Sequence, residues 1–396
     1  MTKKNRLAFL ICYLSYTAIY VARLNLSMAA PALRDMCMLT EFQLGLLGSV
    51  FSIVYAVGRL LVGAVSDRRP PFVLICTGLL LCGASNLAVG LFPPFIGILL
   101  LWGVNAFAQS MLWSSVLCVI SESYDPETAK KKTALMATAV ASGNILGILV
   151  NLFLIETLGV RWAFLIPGAV TLAAAGAAYL SVRHIPAPTA GTEKAHRSLL
   201  QLVREPAVNR AILPVAFHGV MKDNVTLWMT IYLIDRFGVD LQETALSLLL
   251  IPGAGLLGRI SYPLLYKLCR GREHRVSCLA LSVCLAASVL LCFRQITFLP
   301  AVLSLSVVYA AVSVVNTSFL SIYPLRFADS GNVASVSGVM DFCTYLGAGA
   351  AALVYGAAIQ RFGYLSMFLS WSVLSALCIL LIAFRLARAS RSTPAA

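Results

Sequence analysis

Four cationic side chains lie in segments whose composition is otherwise that of membrane-spanning helices: Arg23, Arg59, Lys222 and Arg259. A charge at the centre of a bilayer costs about 2.5–3.5 kcal/mol even on the most lenient insertion scale. Such residues almost always face the interior of a helix bundle or a wet cavity. We interpret the four as a functional site, and because all are positive, the expected ligand is an anion.

The four cations occur in pairs along the chain. Gly58-Arg59 recurs 200 residues later as Gly258-Arg259, and Arg23 corresponds to Lys222 at a spacing of 199 residues. This repeat predicts two homologous halves that share one positively charged cavity.

The composition predicts an all-α membrane protein. Hydrophobic residues make up 60% of the chain and charged residues 12%, compared with about 25% charged residues in a soluble domain. Apolar runs long enough to cross a bilayer recur along the chain, and we count twelve. We predict two six-helix bundles, 1–182 and 208–396, joined by a polar loop at 183–207.

The net charge of +14 is distributed asymmetrically. Of the 30 Lys and Arg residues, 21 lie on the loops and tails of one side, 5 on the other side, and 4 are the intramembrane cations. This bias predicts a cytoplasmic-membrane protein with both termini in the cytoplasm. No basic face outside the spans suits a nucleic acid, and the spacing of the eleven cysteines predicts neither a disulfide framework nor a metal site.

Polar residues at helical spacing form stripes on seven of the predicted spans, which we expect to face the cavity. The predicted substrate-binding residues are Tyr20, Arg23, Tyr55, Arg59, Asn105, Gln109, Trp113, His218, Lys222, Arg259, Tyr309, Asn316 and Tyr345. Other interpretations remain open for some of them. The amides could instead form interhelical hydrogen bonds, His218 could be a packed core residue, and Arg59 and Arg259 could be interfacial anchors or salt-bridge partners.

Two acids lie away from the ends of the spans, Asp223 and Asp341. Asp223 adjoins Lys222, so we expect it to point about 100° away around the helix. Four cations and two acids leave a net charge of about +2, which a phosphate monoester of charge −1.5 to −2 would balance. The two acids are candidates for proton coupling or for charge offset, and for Asp341 we favour charge offset.

The loop after the second span reads Gly63-Ala-Val-Ser-Asp67-Arg68-Arg69-Pro70. It resembles the Gly-x-x-x-Asp-Arg signature of the major facilitator superfamily. Its Ser-Asp-Arg form, with the stretches Tyr20–Pro31 and Lys222–Trp228, resembles the organophosphate:phosphate antiporter branch, which includes the glycerol-3-phosphate and hexose-phosphate exchangers. The resemblance implies the twelve-helix major facilitator fold and a gating role for Gly63, Asp67 and Arg68.

The resemblance also implies roles for three of the cations. Arg23 matches the substrate-binding arginine of the branch, and Arg59 stands where the glycerol-3-phosphate exchangers have a lysine. Lys222 replaces a second arginine, which removes the bidentate fork that suits phosphate oxygens. The histidine that the branch carries in span five has no counterpart in 141–144. A carboxylate substrate therefore stays open beside a phosphate ester.

These features predict a secondary active transporter of a small organic anion, working by alternating access as an exchanger or a proton-coupled carrier. The alternatives are a proton-driven exporter of drugs or metabolites and a non-transporting anion sensor. No catalytic motif suggests an enzyme, and no cofactor is expected. We expect a monomer whose partners are membrane lipid, the anion, and protons or phosphate as coupling ion.

Overall fold

The computed structural model describes residues 3–37, 39–66, 69–185, 199–327 and 333–391. The chain divides into two compact units, Met1–Lys194 and Ala195–Ala396, and the boundary falls inside the segment 183–207. The helices of the first unit are α1 (Lys3–Cys37), α2 (Glu41–Ser66), α3 (Pro71–Val89), α4 (Phe95–Ser123), α5 (Pro126–Leu158) and α6 (Trp162–Val182).

The second unit begins with a short helix and continues with longer ones. Its elements are α7 (Leu199–Arg204), α8 (Pro206–Phe237), α9 (Leu241–Leu248), α10 (Leu250–Leu268), α11 (Glu273–Leu291), α12 (Phe298–Asn316), a π-helical turn (Thr317–Ile322), a 3-10 turn (Tyr323–Phe327), α13 (Val333–Phe362) and α14 (Leu365–Arg391).

Ten of the described helices are long and apolar enough to cross a membrane. Of the twelve predicted spans, the two that correspond to α8 and α10 are not among these ten helices. Polar and charged residues lower their hydropathy, among them Lys222 and Asp223 in α8 and Arg259 in α10. The apolar run over 242–268, which by its length predicts one spanning helix, is divided at Leu249 into α9 and α10. Pro252 explains the break, because it cannot donate to the carbonyl of Leu248 and its ring clashes with that group.

Local sequence explains where several helices begin and end. Ahead of α2, the Thr40 backbone N–H donates to Gln43 Oε1 at 2.9 Å and the Gln43 N–H donates to Thr40 Oγ1 at 3.2 Å, a reciprocal capping box. Asp125 caps α5 by accepting from the Thr128 N–H at 3.0 Å. Gly238 ends α8 with φ of 65°, a left-handed conformation that glycine adopts without strain.

The same packing scheme appears in both units. In the first unit α1 packs on α5, α2 on α4, and α3 on α4 and α6. In the second unit α8 packs on α13, α10 on α12, and α11 on α12 and α14. The internal repeat predicted from the paired cations is therefore present in the helix packing.

Glycines bring corresponding helices close together in the two units. A Cβ atom on Gly58 of α2 would lie 2.3 Å from Ser110 Oγ of α4, and one on Gly258 of α10 would lie 2.4 Å from the Ala310 carbonyl oxygen of α12. Ser110 and Ala310 are themselves 200 residues apart. In membranes, small residues at such contacts allow backbones to approach closely. Each glycine therefore fixes the position of its helix. The position of the next residue, Arg59 on α2 or Arg259 on α10, is fixed with it.

The contact between Gly258 and the Ala310 carbonyl predicts that a larger residue at position 258 lowers the stability of the protein. Gly258→Ala should lower the thermal stability of the purified protein, because overpacking against a backbone carbonyl costs about 1–3 kcal/mol. Gly253→Ala in the same helix is the matched control, since a Cβ there meets no heavy atom within 4 Å. The control should be neutral or slightly stabilising because alanine is the better helix former by about 1 kcal/mol. The midpoint of thermal unfolding in detergent checks both, and equal midpoints for the two variants would contradict the packing argument.

Candidate functional site

Arg23 lies near the middle of α1 with its guanidinium group over aromatic rings. The guanidinium carbon is 4.6 Å from the ring centroid of Phe51, 5.4 Å from that of Tyr55 and 5.8 Å from that of Tyr20. Tyr20 is on the same helix, and Phe51 and Tyr55 lie one turn apart on α2. Cation–π attraction at this distance stabilises a charge that has lost part of its hydration.

These rings belong to a larger aromatic cluster in the first unit. Ring centroids lie 5.5 Å apart for Tyr16 and Tyr20, 5.3 Å for Tyr16 and Trp113, 6.1 Å for Phe51 and Tyr55, and 5.7 Å for Phe51 and Trp102. We call the six residues the aromatic cluster: Tyr16, Tyr20, Phe51, Tyr55, Trp102 and Trp113. The predicted residues Tyr20, Tyr55 and Trp113 are thus brought together with Arg23.

Phe51 and Trp102 are absent from the predicted set, since their rings carry no polar atom that marks a stripe. Phe51 is nevertheless four residues before Tyr55, on the same helix face. That spacing was the signal that could have found it.

Lys222 is the corresponding cation of the second unit, and it has a carboxylate beside it. Its Nζ atom lies 3.8 Å from Asp223 Oδ1 and 4.9 Å from the ring centroid of Tyr345 on α13. The side chains of Lys222 and Asp223 are 19% and 20% exposed. The ion pair corrects the expectation that these neighbours point apart. The flexible four-carbon stem of lysine lets its ammonium group reach across the angle between adjacent helical positions.

The other predicted residues of the second unit lie on four helices. His218, one turn before Lys222, is 1% exposed, and Lys222 and Arg259 are the cations that act on it electrostatically. Arg259 is half-buried, and its Nε atom has no hydrogen-bond partner among the described residues. Tyr309 of α12 is buried against Gly255 of α10.

Three predicted residues have fewer described contacts. Asn316 is the last residue of α12 and is half-buried where the helix passes into the π-helical turn. Asp341 is half-buried one turn before Tyr345 on α13. Arg59 is half-buried toward the end of α2. Gly63 belongs to α2, whereas Asp67 and Arg68 of the predicted gating motif lie outside the described residues.

Asn105 and Gln109 of α4 occupy a buried hydrogen-bond network. Gln109 Nε2 donates to Asn105 Oδ1 at 3.2 Å, and Asn86 Nδ2 donates to the same oxygen at 3.4 Å. Asn25 Nδ2 in turn donates to Asn86 Oδ1 at 2.7 Å and to the Ala163 carbonyl at 3.2 Å. This amide network (Asn25, Asn86, Asn105, Gln109) links α1, α3, α4 and α6. Asn105 and Gln109 are 0% and 2% exposed, so in this structure they bridge helices and line no open surface.

The sequence profile described as Major Facilitator Superfamily matches residues 12–352. The chain belongs to this superfamily. The predicted fold class, the twelve-helix major facilitator fold, is confirmed by this match and by solved structures. A bacterial homologue of the human lysosomal transporter Spinster, in an inward-facing conformation, is similar with a TM-score of 0.74 at 17% sequence identity, covering 98% of this chain and 96% of that one.

Curated relatives include members of the branch that the motifs resemble. A "Probable hexose phosphate transport protein" of Chlamydia muridarum is 26% identical over 164 residues, covering 41% of this chain and 36% of that protein. The "Membrane sensor protein UhpC" of Salmonella typhimurium is 34% identical over 97 residues, covering 24% and 22%. The chain therefore matches only 36% and 22% of the lengths of these two relatives. The resemblance to the organophosphate:phosphate antiporter branch is confirmed by such matches within the Major Facilitator Superfamily.

The amide network predicts that Asn105 contributes to stability more than to ligand affinity. Asn105→Ala should destabilise the protein by about 1–3 kcal/mol, because the buried side-chain amides of Asn86 and Gln109 each lose a hydrogen-bond acceptor. The Michaelis constant for transport should stay within about twofold of the wild-type value. Asn144→Ala is the control, since Asn144 is half-buried on α5 and the structure describes no hydrogen bond for it. Thermal unfolding and transport kinetics test the prediction, and a large loss of affinity with unchanged stability would contradict it.

Proposed function

We propose that this protein is a secondary active transporter that moves a small organic anion across the cytoplasmic membrane by alternating access. The substrate is a phosphate ester or a carboxylate, and the protein works as an exchanger or as a proton-coupled carrier. On the charge bias of the loops, we place both termini in the cytoplasm, and we assign gating to Gly63, Asp67 and Arg68.

The observation that carries this proposal is the position of Arg23 over the aromatic cluster. Cation–π contacts stabilise a partly desolvated cation by about 0.5–2 kcal/mol. They do so without supplying an acceptor atom, and arginine has five N–H donors in a fixed fork. Such an arrangement retains a positive charge in mid-span, and the fork of donors suits the oxygens of an incoming anion. Carboxylate and phosphate both fit that fork.

Lys222 supports the same assignment in the second unit. It occupies the repeat position of Arg23, and its contact with the Tyr345 ring is the counterpart of the cation–π contacts of Arg23. A lysine presents a point charge with rotatable donors in place of a planar fork. We therefore propose that Arg23 and Lys222 both take part in binding the transported anion. Tyr20 and Tyr55 lie beside Arg23, and Tyr345 lies beside Lys222.

A second candidate function is anion sensing without transport, which the match to the curated membrane sensor favours. We rank transport first because the Chlamydia muridarum relative is described as a transport protein and its match covers more of this chain. The two functions differ in one measurable property, since a sensor binds the anion without moving it across the bilayer.

The proposal is tested in proteoliposomes loaded with inorganic phosphate and supplied with labelled glucose 6-phosphate, glycerol 3-phosphate or succinate. Uptake of at least one label above that of protein-free vesicles is expected. Arg23→Gln and Lys222→Gln should each abolish uptake, because each removes a cation that the anion needs. Arg23→Lys and Lys222→Arg should retain part of it. Lys267→Gln, which removes an exposed cation at the end of α10, is the control and should transport normally.

Each outcome separates the candidates. Binding of a labelled anion without uptake would favour the sensor. Uptake that survives Arg23→Gln or Lys222→Gln would remove that residue from the site. Neither binding nor uptake of any of the three anions by the wild-type protein would overturn the anion assignment.

A further inference from the structure

The second unit contains a charge that the internal repeat does not require. Arg23-Leu24-Asn25 of α1 corresponds to Lys222-Asp223-Asn224 of α8, so the first unit has leucine where the second has Asp223. The asparagine that follows forms an interhelical hydrogen bond in both units, but to helices that do not correspond. Asn25 donates to the Ala163 carbonyl of α6 and Asn224 to the Ala348 carbonyl of α13, each at 3.2 Å. The helix packing that the two units share is present in the first unit with leucine at this position, so the shared packing does not require Asp223.

The carboxylate lies where it competes directly with a substrate anion. Its Oδ1 atom is 3.8 Å from Lys222 Nζ, and its Oδ2 atom is buried. While Asp223 is ionised, Lys222 and Asp223 together carry no net charge, so an approaching anion meets a neutral pair. When Asp223 is protonated, the same pair carries one positive charge, and the carboxylate no longer competes with an anion for the ammonium group. The Tyr345 ring beside Lys222 can hold the ammonium group in place in either state.

We propose that the Asp223 carboxylate is the proton-binding site of this carrier, and that its protonation ends its competition with the substrate anion for Lys222. The inference rests on the proposed function and names its coupling ion. One proton from the side of substrate entry converts the carboxylate to the carboxylic acid. The anion then binds the ammonium group, and both ligands leave on the opposite side. Proton and anion therefore raise each other's affinity by the same factor, as thermodynamic linkage demands.

Other titratable or charged groups lie on α8 and on the helices around it. They are His218 on α8, Asp341 and Tyr345 on α13, Tyr309 on α12 and Arg259 on α10. Asp341 is the other carboxylate within these spans, so it is the competing candidate for the proton. The experiment therefore treats Asp223 and Asp341 in parallel.

The first test counts protons. Glucose 6-phosphate is added to the detergent-solubilised wild-type protein at pH 7.5 in weak buffer with a pH-sensitive dye, and bound label is measured in the same sample. At this pH the ester is almost entirely a dianion, since its second pKa is about 6. If the transport assay selects a carboxylate, succinate replaces the ester. Up to one proton should be taken up per bound anion by the wild-type protein and by Asp341→Asn, and none by Asp223→Asn.

The second test is the pH profile of binding between pH 7 and 8.5. The wild-type dissociation constant should rise with pH, by up to tenfold per unit. Asp223→Asn should bind with a constant affinity, about tenfold tighter than wild type at pH 8. Asp223→Glu keeps a carboxylate and should keep the pH dependence. A merely structural ion pair would lower the stability of Asp223→Asn and leave the pH dependence of binding intact.

Three results would overturn the inference: anion binding by the wild-type protein without proton uptake, an unchanged pH profile in Asp223→Asn, or loss of proton uptake in Asp341→Asn alone. Absence of proton uptake by the wild-type protein overturns the inference without any variant. If Asp223→Asn does not fold, retained proton uptake in Asp341→Asn excludes the competing carboxylate. Failure of the wild-type protein to bind any of the anions would instead count against the proposed function itself.

Discussion

The cost of removing a charge from water is the constraint on which the other features of this molecule depend. Arg23 and Lys222 occupy equivalent positions of the repeat in mid-span, and different neighbours stabilise their charges. The guanidinium group of Arg23 lies over three aromatic rings. The ammonium group of Lys222 lies between a carboxylate and a single ring. Aromatic faces offer attraction without a formal negative charge, whereas Asp223 brings its own hydration cost and must stay close to its partner.

This difference decides what an anion would meet in each unit. Aromatic rings do not compete strongly with a carboxylate or phosphate for a cation, because their attraction is weaker than that of a full negative charge. A carboxylate does compete. Under the proposed function, anion binding at Arg23 would depend on shape and desolvation, whereas anion binding at Lys222 would also depend on the charge state of Asp223. Arg23 of the first unit would supply affinity for the anion, whereas Lys222 of the second unit would bind the anion only when Asp223 is protonated.

The sequence was sufficient for the architecture, because long apolar runs have few other solutions in a membrane and a repeat of buried charges implies a repeat of the fold. It was insufficient where side-chain reach or backbone detail decides. The angle between adjacent helical positions suggested that Asp223 points away from Lys222, but a flexible lysine stem closes that angle. The break at Leu249 follows from a proline that a hydropathy count treats as one more residue. Asn105 and Gln109 form a polar stripe whether they face a cavity or a neighbouring amide, so spacing alone could not distinguish the two.

The close helix contacts repeat in the two units, but the residues around Arg23 and Lys222 differ between them. Close contacts repeat faithfully: Gly143 meets the Thr17 carbonyl as Gly347 meets the Ala216 carbonyl, just as Gly58 and Gly258 meet their partner helices. The residues around the two mid-span cations do not repeat. At a spacing of 200 residues, Phe51 and Tyr55 correspond to Ile251 and Gly255. Since the shared helix packing requires the glycines in both units but does not require the same residues around the two mid-span cations, we expect the positions where the repeat fails to determine which anion is bound and what is transported with it.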